Sequence, residues 1–403
     1  MYRIVKTKGN YRENPWDISI SDRIEKIKEA KEIGKKVVAF LYPKFDGSTF
    51  RYRGYNVVET LEYSFHWAGA CFQYADRPDI LNLLPGVDVL VLIRCHWDEK
   101  MDELLDAAKA NGITLCYDID DLVYSPQYME NLIQTLDLKE DFEVNFWFGQ
   151  TYRNKLIADR CDCFITTNDY LADHIRNDFH KPCHVLQNYL NWYQEEVSKE
   201  YFEQKLAMEP SDDFEIGYFS GSPTHVKDIM IALPELERFL QEHKDAILKI
   251  VGYMDFPPKW EHLVREGRVR FVPFQSFVGL QYEQAMVDVN IVPLTCSDFS
   301  NCKSELKYFE NAIVGTITIA SPTYTYKNAI ESGRNGYLCR EGEWYDALSE
   351  VYQKRHDRSN MNVIRDHALG RYSNRKQLQK VEAILREISS YAGDKNGSEF
   401  QQV

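Results

Sequence analysis

The 403-residue chain has no apolar run approaching ~18 residues, so it predicts no membrane-spanning helix. No charged-then-apolar leader opens it, and a cytoplasmic protein is expected. Positive charge is scarce: 48 Lys and Arg stand against 62 Asp and Glu. The net charge of −14 argues against a nucleic-acid partner, which needs clustered cations against phosphates. The nine cysteines form no C-x-x-C pair, which predicts a reducing compartment and no disulfide frame. Cys161 and Cys163 in CDCF are expected on one face of one strand, as buried thiols rather than metal ligands. No G-x-G-x-x-G is present, so a dinucleotide fingerprint is unsupported.

The chain is too long for one ordinary core, and two domains are expected. Apolar, β-branched runs such as KKVVAFLYP, VDVLVLIRC, ITLCYDIDD and CDCFITTND alternate with helical periodicity. A second alternation follows, with FEIGYFSGS, AILKIVGY, VRFVPF, DVNIVPL and TITIAS as strands. Such alternation predicts an α/β fold of two Rossmann-like parallel sheets, with a ligand crevice at the carboxyl ends of the strands. The expected division is 1–191, a charged strandless linker 192–213, a second domain 214–375, and a C-terminal helix and tail 376–403.

Charge is uneven within the first domain. Met1 to Lys36 holds ten Lys or Arg against six Asp or Glu. A basic face of this kind would suit peripheral contact with an anionic membrane, at the inner face of the cell membrane, although solvated helix faces often look the same.

Chemistry concentrates in a few stretches. Lys303, Lys307 and Glu310 lie four and three apart, a spacing that places them along one helix face. Ser and Asn in the loop before them, Asn301 included, are expected to cap that helix. A helix end with lysines suits phosphate, and a glutamate further along suits ribose hydroxyls. Ser220, Gly221 and Ser222 form a small-residue loop after a strand, where backbone approaches phosphate closely, with His225 and Lys227 as further donors. Asp118, Asp120 and Asp121 crowd the end of another strand. They would bind sugar hydroxyls or steady positive charge; a D-x-D metal site is the less favoured reading. Arg51 and Arg53, in the loop DGSTFRYRGY, are expected to face an acceptor phosphate.

The pieces IVPL, KSELKYFENAIVG, TITIAS and GRNGYLC, from Asn290 to Cys339, resemble the donor-site segment of the nucleotide-sugar glycosyltransferases of GT-B fold, in particular the retaining family 4. The resemblance implies a two-domain transferase in which a nucleotide-diphosphate sugar binds the second domain and a glycan or lipid-linked acceptor the first. It places Glu310 on the motif glutamate that holds the ribose, and Lys303 and Lys307 toward the diphosphate. It puts Gly252 and the backbone near Pro273 and Phe274 beside the base, and Asp120 and Asp121 near the donor sugar. No cofactor or metal is implied. One departure stands out. The family carries a second glutamate eight positions earlier, against the transferred sugar, and here that position is Cys302. Asn301, Ser304 or Glu305 is expected to substitute, or the donor sugar to differ; a deoxy sugar is one such case. A nucleotide-sugar epimerase of the same shape, and a transferase-like glycan-binding or scaffold module with a worn donor site, remain open.

Overall fold

The computed structural model describes residues 14–209, 211–221, 226–252 and 260–398, without the side chains of 226, 227 and 392–398. Two six-stranded sheets, parallel throughout, make up the two halves. The first contains β1 (Lys36–Tyr42), β2 (Trp67–Gln73), β3 (Val89–Ile93), β4 (Thr114–Asp118), β5 (Cys163–Thr166) and β6 (Cys183–Val185), in the order β2-β1-β3-β4-β5-β6. The second contains β7 (Phe214–Ser220), β8 (Ala246–Gly252), β9 (Val269–Val272), β10 (Val289–Val292), β11 (Ile317–Ala320) and β12 (Tyr337–Leu338), in the order β12-β11-β10-β7-β8-β9.

Both orders reverse direction once, between β1 and β3 in the first sheet and between β7 and β10 in the second. Neighbouring loops diverge at such a point and leave a crevice at the carboxyl ends of the strands. The near-continuous apolar runs fit this architecture, because the inner strands are buried on both faces.

The structure adds a strand that the sequence pattern hides. WAGACFQ (β2) has few β-branched residues, yet pairs with all of β1, Lys36 to Tyr42. Its small residues suit it: a Cβ on Gly69 would meet Leu61 and Val58 at 3.1 and 3.2 Å. The expectation for Cys161 and Cys163 is corrected. Cys161 ends the helix Asp141–Arg160 and only Cys163 is in the strand, so the two buried thiols enter different apolar clusters.

The segment 192–213 holds a 16-residue helix, Trp192–Ala207, started by Asn191 Oδ1 accepting from the amide of Gln194. It buries Val197, Tyr201 and Phe202. Gly315, at φ +73°, lets Phe202 close in, since a Cβ there would lie 2.7 Å from its ring. The last helix, Asn374–Ser398, crosses back onto the first sheet. Val381, Ile384, Leu385 and Ile388 join an apolar cluster with Val38, Phe40 and Val89. One continuous core thus ties both halves together.

The cations of 20–36 are largely spoken for. Arg23 pairs with Asp76, Lys26 with Glu62 and Lys31 with Asp88, while Lys35 donates to the Ser64 carbonyl. No described helix is long and apolar enough to cross a membrane.

Candidate active site

Some of the expected donor-side residues stand near the carboxyl ends of the second sheet's strands. Ser220 ends β7 and pairs with Gly252 at the end of β8. Gly252 has φ +104°, and a Cβ there would stand 2.0 Å from the Ser220 carbonyl oxygen, so no other residue fits. Gly221 follows with open space around it. Ser222 and His225 lie outside the described residues, as does the side chain of Lys227. Phe274 stands 63% exposed after β9.

The helix carrying the motif is shorter than expected. It runs Leu306–Ala312 and starts at Glu305 without a side-chain cap. Ser297 instead caps the preceding turn, Asp298–Asn301. Lys303 therefore sits before the helix rather than on its face, which corrects the spacing argument, although its charge still acts on Lys307. Lys307 is half-buried with its ammonium 5.9 Å from the Tyr218 ring centroid, and Lys303 lies 5.0 Å from that of Phe299. Burial pushes the Lys307 ammonium down to about 8, assisted by Lys303 and opposed by Asp228. Among the described residues neither lysine has a carboxylate within ion-pair distance. Two neighbouring cations at a switch point, with no ion-paired carboxylate among the described residues, suit an anion.

Glu310 has a different environment from the one expected. It is 3% exposed and faces the first half of the molecule. Arg51 Nη2 donates to its Oε1 at 3.1 Å, the Tyr52 hydroxyl donates to the same oxygen, and Gln284 Nε2 reaches Oε2 at 3.4 Å. Arg51 also donates to Gln194 Oε1 at 2.8 Å. Neither Arg51 nor Arg53 presents its guanidinium to an acceptor, contrary to expectation, because RYRGY is wound into a helical turn whose arginines point inward. Arg53, 1% exposed, makes two parallel bonds to Asp118 at 2.8 and 2.9 Å and donates to the Leu186 carbonyl and Asn188 Oδ1.

At the first sheet's switch point, Arg94 follows β3 with φ +45°, an uncommon conformation for a residue with a side chain. Sequence reasoning missed it: a single arginine after an apolar strand carries no pattern. Its Nε donates to Asp120 Oδ1 and its Nη2 to Asp121 Oδ2 at 2.9 Å. Thr49 donates to Asp120 Oδ2 at 3.2 Å.

Polar bonds across the crevice hold the halves together. Asn168 Nδ2 donates to the Cys302 carbonyl at 2.8 Å, Asn188 Nδ2 to Ser304 Oγ at 2.9 Å, and the Tyr170 hydroxyl to Asp298 Oδ1 at 2.5 Å. Asn301 Oδ1 accepts from the Tyr324 amide at 2.9 Å. A separate cavity of about 350 Å³, lined by Lys109, Cys161, Lys181 and Tyr391, lies at the amino end of β5, away from this crevice. Lys181 is already bonded there to the Asp159 and Cys161 carbonyls.

Two Rossmann-like sheets facing one crevice define the GT-B fold of glycosyltransferases. Residues 214–354, about a third of the chain, match the family model Glycosyl transferases group 1. Similar solved structures agree on the fold. A glycosyltransferase from Rickettsia africae is 13% identical, with a TM-score of 0.58 over 88% of this chain and 99% of that one. HepE of Anabaena in complex with UDP is 14% identical, with a TM-score of 0.56 over 87% of this chain and 100% of that one. Sucrose-phosphate synthase from Thermosynechococcus elongatus is 15% identical, with a TM-score of 0.52 over 92% of this chain and 100% of that one. No curated protein matches the sequence.

Proposed function

We propose that the protein transfers a glycosyl group from a nucleoside-diphosphate sugar to a hydroxyl of a glycan or lipid-linked saccharide, in the synthesis of a surface polysaccharide. The observation that carries this reading is that Lys303 and Lys307, with no carboxylate in ion-pair reach among the described residues, stand at the second switch point, inside the segment that matches Glycosyl transferases group 1. In the reaction the bond from the anomeric carbon to the diphosphate breaks, and its electron pair leaves with the diphosphate. The acceptor oxygen forms the new bond and gives its proton to a leaving-group oxygen, the course expected for retention. Lys303 and Lys307 neutralise the charge that develops on the diphosphate, a role that needs no metal. Asp120 and Asp121 stand on the other side of the crevice, where the anomeric carbon gains positive character.

Glu310 keeps its ribose role in this reading only by exchanging Arg51 and Tyr52 for ribose hydroxyls. A second reading rests on that occupied carboxylate and on the buried Cys302: a transferase-like scaffold or glycan-binding module that no longer holds a nucleotide.

Calorimetric titration with UDP, GDP, ADP and dTDP and their sugars, beside Lys307→Met and Glu310→Gln, separates the two. UDP is the first choice because HepE was solved with UDP-glucose. Binding of one nucleotide, weakened in both variants, supports the transferase; sugar transfer to an added acceptor completes the case. A folded wild type that binds no nucleotide leaves the scaffold reading.

A further inference from the structure

The 20-residue helix Asp141–Arg160 is about 30 Å long, against about 17 Å for the neighbouring strand β4. It connects two parallel strands and so runs opposite to them, which puts its first turns on the side of their carboxyl ends. Two bonds fix the level. The Trp97 amide, just beyond β3, donates to the Arg153 carbonyl at 3.1 Å, and Asn154 Nδ2 donates to the Val123 carbonyl, just beyond β4, at 3.0 Å. The turns from Phe142 to Arg153 therefore rise roughly 16 Å past the sheet. They pack with the helix Met129–Leu136, which meets the turn Asp298–Asn301 of the second half. The crevice opens at this same end, so these turns are part of its rim.

The rim is apolar and uncovered. The helix buries Thr151, Asn154, Ile157 and Ala158. Its other side exposes Phe142 (72%), Phe146 (60%), Phe148 (52%) and Tyr152 (51%). At 3.6 residues per turn, Phe142 and Phe146 form one row and Phe148 and Tyr152 another, with Asn145 and Gly149 between them. Gly149 has open space around it, which leaves a furrow between the rows. The Phe146 ring stands edge-on to the half-buried Trp147, with centroids 5.8 Å apart, and is steadied by it. None of these six exposed positions carries a charge, and a continuous apolar patch of this kind marks an interaction surface.

Charge and area select the occupant. Asp137, Glu140, Asp141 and Glu143 surround the start of the helix, against Lys139 alone, which pairs with Asp137 at 2.9 Å. Such a border repels an anionic bilayer or a polyanion. The four rings together expose roughly 450 Å², little more than half of the ~800 Å² per partner of a standard protein interface. A narrow, uncharged ligand laid along the furrow suits both facts. The C–H face of a pyranose ring is apolar and packs on the negative face of an aromatic ring, while the Asn145 amide offers hydrogen bonds to hydroxyls. Within each row the rings are about 6 Å apart along the axis, a step comparable with one sugar of a chain.

We propose that Phe142, Phe146, Phe148 and Tyr152 form a platform on which successive rings of an uncharged glycan stack. On the transferase reading above, on which this part rests, that glycan is the acceptor, gripped on the rim some rings away from its reacting end. Acceptor length then matters: a chain that reaches from the crevice to the platform is held, and a monosaccharide is not.

The test is affinity electrophoresis of the full chain through gels containing dextran, mannan or galactan, with hyaluronan as the polyanionic control. The same samples are titrated with UDP, GDP, ADP and dTDP. The variants are Phe142→Ser with Phe146→Ser, Phe148→Ser with Tyr152→Ser, and Tyr152→Phe, which keeps the ring. At least one neutral polysaccharide should retard the wild type more than hyaluronan does. Each double variant should bind it about tenfold or more weakly, with Tyr152→Phe and every nucleotide affinity within about twofold of wild type. Should a double variant fail to fold, its single members are read in the same way. Equal glycan affinity in wild type and double variants overturns the platform, as does a wild type that no neutral polysaccharide of the panel retards. A wild-type dimer that the double variants disperse in light scattering assigns the face to a second copy and overturns it too. So does flotation with phosphatidylcholine vesicles that the double variants lose. Nucleotide binding without glycan binding removes the platform and leaves the transferase reading. Glycan binding that the double variants lose, in a protein that binds no nucleotide, supports the platform and removes the transferase reading alone.

Discussion

The two switch points solve the same topological problem with opposite chemistry. At the second, Lys303 and Lys307 have no ion-paired carboxylate among the described residues, and burial has pushed Lys307 down to about 8. At the first, three aspartates meet two arginines, and nearly every polar atom is taken. An unpaired, partly desolvated cation is a site waiting for an anion. A nearly saturated ion-pair network is a rigid frame, and Asp121 Oδ1 is the enclosed oxygen of these aspartates left without a hydrogen-bond partner among the described residues. The two ends thus differ in what is left over, charge at the second and a closed frame at the first.

The strongest way to break this contrast is to cut the frame. Arg53→Met leaves Asp118 buried and unpaired, and should cost about 3–5 kcal/mol of stability in urea unfolding. A loss below about 1 kcal/mol would mean the first switch point is less rigid than its bonds imply.

Lys307→Met should do the reverse. It removes a poorly solvated charge, so stability should hold or rise, while nucleotide affinity falls about 10–100-fold. Equal damage to both quantities would make Lys307 a structural residue.

The lowered Lys307 ammonium also fixes a pH dependence. Below about 8 it is already charged and the nucleotide binds without proton exchange; above 8 binding must take up a proton. Affinity should therefore decline from pH 8 upward, by at most about tenfold per unit, with an enthalpy that depends on the buffer. The unliganded protein follows the opposite sign. Its folded value lies below the ordinary 10.5, so the unfolded chain binds this proton first as pH falls, and stability is lost between 10.5 and about 8. Both slopes should vanish in Lys307→Met.

The smallest expected effect sharpens the role of Glu310. Tyr52→Phe deletes one of the donors that occupy its carboxylate. If ribose competes for that oxygen, nucleotide affinity should rise about two- to tenfold. No change, with Glu310→Gln equally silent, would assign Glu310 to the interdomain network alone.

Much of this molecule can be read from its residues. Strand-length apolar runs bounded by Gly and Pro, separated by helical periods, specify two parallel α/β sheets, since only strands buried on both faces tolerate such runs. The stretch from Lys307 through Glu310 and Gly315 to TITIAS carries the family resemblance, which implies a donor-side segment. The β2 strand escaped because its small residues owe their place to Leu61 and Val58, which lie elsewhere in the chain.

Local periodicity is thus enough for the class of fold and for most of the order of its elements. Only the tertiary structure decided which of the charged side chains are available. Arg51, Arg53 and Glu310 look like ligand contacts when read singly, yet they meet partners 65 to 259 residues away and are consumed by them. Arg94 looks like nothing in the sequence and becomes the clamp on two aspartates 26 and 27 residues on. Whether a charge is paired depends on long-range packing, and no short window of sequence contains that information.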